Sequence, residues 1–213
     1  MKTFEELLRA AAVRHQHLCP RQVLGVRMGL LGGRMLGIRV PQNDKRLLAL
    51  VETDGCAADA ISVVTGCWVG RRSMRVIDFG KVAVTFVDTV SERAIRIIPS
   101  PGVRDRARGY APEAATRWQA QLLGYQRMPD AELLVAEEVE LVFSLQDLLG
   151  RDGARVNCEI CREEIINQRE IIKDESTLCR ACAGLRYYAR QQACTPTWEF
   201  KEREIGRRPM DLN

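Results

Sequence analysis

The chain has 213 residues, 46% hydrophobic and 28% charged, with a formal net charge of +4. That balance excludes a largely disordered chain and a histone-like polycation, while leaving room for a local basic patch. No run approaches the roughly 18 consecutive apolar residues of a membrane span, and Glu5, Glu6 and Arg9 stand where a signal peptide needs an apolar core, so a cytoplasmic location without membrane contact is expected.

In chain order, Thr3 and Glu6 form a capping-box pair ahead of a helix whose apolar face is Phe4, Leu7, Leu8, Ala11 and Ala12. After a break at His15–Cys19, Pro20 starts a second helix, predicted to run to about residue 31 and to end at Gly32-Gly33. Strands are predicted over 35–40 and 47–53, and a helix over 56–65 that Gly66 closes. Further strands are predicted at 75–78, 82–87 and 94–98, then a helix after Pro112 carrying Trp118, then a last strand over 133–143. This order predicts an α+β fold, an antiparallel or mixed sheet core with flanking helices. Leu149 to Gly153 reads as a linker, which gives a core domain over 1–150 and a small cysteine-bearing domain over 151–213.

Eight cysteines in a reducing compartment point to metal or thiol chemistry rather than disulfides. Cys158-x-x-Cys161 and Cys179-x-x-Cys182 offer four thiolates on two knuckles, the donor set of a closed tetrahedral structural zinc site. Rubredoxin-like iron would accept the same ligands. A hairpin between the knuckles, with a helix opening at the second, would make a treble clef, and the spacing resembles zinc fingers of the DksA/TraR type. Residues 151–213 hold 12 Lys+Arg against 11 Asp+Glu, which argues against a non-specific polyanion binder. Arg180, Arg186 and Arg190 with Tyr187 and Tyr188 form a local basic and aromatic face for a protein partner or nucleic acid.

In the first half, Cys19 and Cys56 each stand at a predicted helix start, where the dipole favours a thiolate, and His17 adds an imidazole beside Cys19. These three are the candidate core metal ligands for zinc, iron or nickel, with Asp59 or Cys67 as orienting or additional groups. Cys19 and Cys56 are also the candidate nucleophiles. His15 is expected to face solvent. Free cysteines equally serve as inert core residues, and H-x-C by itself is a weak motif.

Taken together, His15-Gln16-His17-Leu18-Cys19-Pro20 with Gly25-Val26-Arg27, Glu52-Thr53-Asp54-Gly55-Cys56 through Ile61, Thr65-Gly66-Cys67-Trp68-Val69-Gly70, and Asp78-Phe79-Gly80-Lys81 resemble the ordered blocks of the FmdE family. Gln16 and Arg21 replace glycines of that pattern and Trp68 replaces a threonine. The resemblance implies an α+β core with a treble-clef appendage, an intertwined homodimer, and a name taken from gene neighbourhood with a molybdenum or tungsten formylmethanofuran dehydrogenase. The expected function is therefore a metal-binding accessory protein with a thiol and imidazole site in the core and structural zinc in the finger. The alternative is a metal- or ligand-sensing regulator whose finger contacts nucleic acid or protein. Independent catalysis has no motif to support it: there is no phosphate-binding loop and no dinucleotide fingerprint.

Overall fold

The computed structural model describes residues 2–150 and 153–189, so Cys194 and Arg190 lie outside the described residues. The chain divides into two compact units, Met1–Leu149 and Gly150–Asn213. Among the described residues no helix is long and apolar enough to cross a membrane.

Helix α1 (Phe4–His15) has the predicted capping box: Thr3 Oγ1 accepts from the Glu6 amide at 3.2 Å, and Glu6 accepts from the Thr3 amide at 2.7 Å. Helix α2 spans Pro20–Leu36, a turn and a half longer than predicted. Gly32 and Gly33 do not end it, because their missing side chains are filled by neighbours. A Cβ on Gly32 would sit 2.2 Å from the Phe86 ring, and one on Gly33 would lie 3.0 Å from the Ile38 carbonyl. The helix stops instead at Gly37, in the left-handed region at φ 66°, with the Ile38 amide donating back to the Gly33 carbonyl at 2.8 Å. The strand predicted over 35–40 is therefore the end of α2 and its cap.

Strand β1 (Leu47–Val51) and helix α3 (Cys56–Thr65) follow, then β2 (Met74–Val76), β3 (Val84–Asp88) and β4 (Ala94–Pro99). Two short helices, α4 (Val103–Tyr110) and α5 (Arg117–Arg127), precede α6 (Asp130–Leu133) and β5 (Leu134–Val139). The predicted strand over 133–143 thus ends four residues early. The unit closes with α7 (Leu145–Leu149). The sheet order is β2-β1-β3-β4-β5, with β1 and β2 parallel and the other neighbours antiparallel. The unit is α+β with a mixed sheet, as predicted. All five residues of β1 are buried because both faces are covered. Leu47, Ala49 and Val51 join the main core with α1, α2 and α3, while Leu48 and Leu50 meet Val87, Ala94 and Leu145 on the opposite face.

Two ion pairs pin this sheet. Arg46 grips Asp88 through two hydrogen bonds of 2.9 and 2.7 Å, and Arg96 on β4 grips the buried Glu52 at 2.7 and 2.8 Å. The Arg46 hydrogen bonds hold the Asp88 carboxyl well below the usual aspartate range against the opposing effect of burial, and the Val90 amide and Ser91 hydroxyl add to it. A depressed folded-state pKa contributes stability that is present above the unfolded value of about 3.9 and is lost as pH falls. Stability of the wild type should therefore drop between about pH 4 and pH 2, and Asp88→Asn should flatten that limb while being less stable at pH 7. Urea melts at both pH values read this directly, and parallel acid limbs would remove Asp88 as its source.

The second unit is built from two hairpins, β6 (Arg155–Asn157) with β7 (Glu164–Ile166) and β8 (Ile171–Lys173) with β9 (Ser176–Leu178). The sequence predicted one hairpin and a helix opening at the second knuckle. Residues 180–184 form turns instead, and no α-helix occurs among the described residues of this unit.

Candidate functional site

The four cysteines of the second unit converge. Cys158 and Cys161 sit on the turn between β6 and β7, and Cys179 and Cys182 follow β9. The Glu159 amide donates to the Thr177 carbonyl at 3.0 Å and joins the two hairpins at that level. All four sulfurs lie within 4.8 Å of one another, and Cys161 Sγ is 3.8 Å from Cys179 Sγ. A tetrahedral ion with bonds of about 2.3 Å separates its sulfurs by about 3.8 Å, so the quartet has the dimensions of a four-thiolate metal site. Backbone N–H groups of Cys161 and Cys179 draw the Cys158 thiol down to about 6, while the crowding sulfurs, Cys179 foremost, push Cys182 up to about 12. Four sulfurs packed this way need a cation to ionise together.

The first unit holds the other cysteines. Cys19 is the N-cap of α2, and its amide donates to Gln22 Oε1 at 2.9 Å. The Gln22 side chain is fully buried and donates in turn to the Ala11 carbonyl at 2.8 Å, which locks the end of α1 to the start of α2. Cys56 is the first residue of α3, reached through Gly55 at φ 88°, a conformation that suits glycine. Helices α2 and α3 touch at Gly25, so their starts lie side by side, and Cys19 and Cys56 line one cleft of about 940 Å³.

Cys56 Sγ lies 3.1 Å from His15 Nε2, and His15 Nδ1 lies 2.8 Å from Asp59 Oδ2, one turn further along α3. The carboxylate fixes the proton on Nδ1 and turns the Nε2 lone pair toward the thiol. The sequence reading assigned the imidazole to His17 and left His15 to solvent. The structure places His15 against Cys56, with its side chain 21% exposed. His17 is exposed, its ring centroid 4.8 Å from that of His15. The reason is local: Gln16 adopts φ 65° and ends α1, which leaves His15 on the helix and sends His17 outward. Arg14 Nε lies 3.9 Å from Asp59, and its guanidinium stacks 3.7 Å over the Trp68 ring.

A depressed Cys56 thiol was expected from its helix start. Burial pushes that thiol up instead, and the neighbouring Cys19 thiol adds to the effect; the smaller pulls of the backbone and Arg21 do not reverse it. Cys67 is fully buried, and its thiol donates to the Leu47 carbonyl at 3.2 Å, which makes it a core residue of the β1 edge. Among the described residues the quartet is the only group of three or more candidate ligands set so closely. The core donors are a row, Asp59 to His15 to Cys56 to Cys19, and not a closed shell. Arg27 has a different task from the cysteines: its guanidinium donates to the carbonyls of Tyr125 and Met128 and to Asp130 Oδ1, clamping the end of α5 to α2.

Three comparisons bear on this arrangement. The model of the family described as FmdE, Molybdenum formylmethanofuran dehydrogenase operon, matches residues 14–135. A probable S-adenosyl-L-methionine-binding protein of Archaeoglobus fulgidus is 35% identical over 94 residues, which are 43% of this chain and 26% of that protein. This chain thus spans about a quarter of that relative's length. The crystal structure of an FmdE-like protein of tungsten formylmethanofuran dehydrogenase, from Syntrophus aciditrophicus, superposes with a TM-score of 0.52 at 24% identity, covering 88% of this chain and 96% of that one, and shows a shared fold. The family match covers more than half of the chain, including His15, Cys19, Cys56 and Asp59, and the chain belongs to the FmdE family.

Proposed function

We propose that this protein is a metal-binding accessory protein of a molybdenum or tungsten formylmethanofuran dehydrogenase-like system. In this reading the quartet Cys158, Cys161, Cys179 and Cys182 holds one structural zinc in a treble-clef-like finger, and the core carries a second, open metal site. The observation that supports the core site is the chain from Asp59 through His15 to Cys56. A carboxylate that holds one ring nitrogen while the other faces a thiol is the arrangement that orients an imidazole for a metal. His15, Cys56 and Cys19 would be the donors, with His17 the further imidazole within reach of the same turn. Imidazole with thiolate suits zinc, iron or nickel, and such an ion would supply Lewis-acid or redox chemistry at the end of the cleft. The residues themselves hold the proton on His15 Nδ1, keep Cys56 half-buried, and leave the cleft side open. The same reading takes a second copy of the chain and the dehydrogenase proteins as its partners, and the cytoplasm as its location.

Metal content separates the two sites. Full-length protein purified without oxygen should carry two metal equivalents, Cys56→Ala and His15→Ala one each, and Cys161→Ser one. A wild type with a single equivalent that disappears in Cys161→Ser would remove the core site and leave the finger.

A further inference from the structure

The cleft that ends at Cys19 and Cys56 is unevenly charged. Five cations line it, and only one carboxylate does. Two of the cations are neutralised: Arg96 by the buried Glu52, and Arg117 by Asp105 at 2.9 Å. The other three, Arg21 at the start of α2, Lys81 ahead of β3 and Arg104 on α4, form no ion pair among the described residues. They come from three separate elements and face one volume, in a protein whose whole net charge is +4. Clefts lined by one sign of charge between low-dielectric walls concentrate the opposite ion.

The rest of the lining is not that of a simple ion site. Trp118 stands 49% exposed on α5 and lines the cleft beside the buried Tyr125. A half-exposed indole at a cleft wall, next to guanidinium groups, is a platform for a flat ring. The volume of about 940 Å³ fits an organic molecule and far exceeds a bare phosphate.

We infer that this cleft binds an organic anion, a planar ring carrying two or more phosphate or carboxylate groups. Arg21, Lys81 and Arg104 take the charge, Trp118 takes the ring, and the molecule reaches the Cys19–Cys56 end. The inference deepens the reading of the cleft as the working site, and rests on it only in placing the ligand beside those thiols. It also bears on S-adenosylmethionine, whose sulfonium would meet like charge here.

The test is calorimetric titration of the full-length protein with four probes: ATP, AMP, adenosine and benzene-1,3,5-tricarboxylate. ATP, the tricarboxylate or both should bind at least about tenfold more tightly than adenosine, and binding should weaken as salt rises from about 0.05 to about 0.5 M. ATP alone assigns the cations to phosphate, and the tricarboxylate alone assigns them to carboxylate. Arg21→Gln combined with Arg104→Gln changes two exposed side chains and should cost about tenfold or more in affinity for the anion that binds. Trp118→Ala should lower affinity for that same ligand without altering the salt dependence. Cys56→Ala should bind the anion as wild type does, so loss of the core metal and loss of the anion site are read apart. Absence of binding by both anions, or an unchanged affinity in the double variant, overturns the inference.

Discussion

Replacing Cys161 with Ser should strip the metal from the second unit and unfold it, while the first unit stays folded. The sulfurs of Cys158, Cys161, Cys179 and Cys182 already stand at the spacing of a tetrahedral site, so a bound ion meets little strain. Without an ion the unit has little to hold it. Its buried hydrophobic residues are Cys158, Ile165 and Leu178, with the other cysteines packed around them, and its four strands are three residues each. In domains of this size the metal-binding energy is the folding energy, about 10–16 kcal/mol for zinc-finger peptides at neutral pH. A serine hydroxyl cannot supply a thiolate, and three ligands give up part of that energy together with the closed shell. Hydrogen exchange should show protection lost across 153–178 and kept in β1, β3 and β4, which belong to the separate core of the first unit. Metal analysis should show one equivalent fewer. Unchanged metal content and unchanged protection in Cys161→Ser would show that the quartet is not a metal site.

What could be read from sequence was whatever local chemistry decides. Thr3 with Glu6, Pro20 at the first turn of α2, and Gly66 after α3 each act on their own backbone, and each stands where the spacing put it. Gly32-Gly33 misled for the opposite reason. Glycine pairs interrupt helices locally, but here the Phe86 ring, more than fifty residues away, occupies the space that a side chain would need. Helix α4 gave no apolar stripe, since only Val103 and Ala107 of VRDRARGY are buried. The second turn of the C-terminal unit, at Asp174 and Glu175 with φ 50° and 65°, carries no glycine to announce it. In the site, Cys19 and Cys56 were legible because helix starts are legible. The choice of His15 over His17 was not, because it depends on the left-handed Gln16 and on Asp59 arriving from α3, forty-four residues away. The raised Cys56 thiol was equally hidden: burial at a helix–helix contact outweighs the dipole, and only the packing reveals it.

That packing yields the second large effect. Gly25→Ala should destabilise the protein and disturb the Cys19–Cys56 pair, although alanine is the better helix former. A Cβ at Gly25 would lie 2.5 Å from the Ala57 carbonyl oxygen and 2.8 Å from the Ala60 Cβ, both held rigidly on α3. Neither can rotate away, so α2 must move off α3. Overpacking of this kind costs about 1–3 kcal/mol, against a propensity gain of about 1 kcal/mol for leaving glycine inside a helix. Gly109 on α4 supplies the control, for it is exposed and a Cβ there meets nothing within 4 Å. Gly109→Ala should therefore stabilise by up to about 1 kcal/mol, so the same substitution changes sign with its surroundings. Because Cys19 and Cys56 sit at the starts of the two helices that Gly25 joins, the shift in Gly25→Ala should also lower metal retention in the core, without touching the quartet. Urea melts and metal content on the two alanine variants decide it: equal stability of Gly25→Ala and wild type would mean that the helices do not approach as closely as Gly25 implies, and the juxtaposition of the two thiols would lose its structural cause.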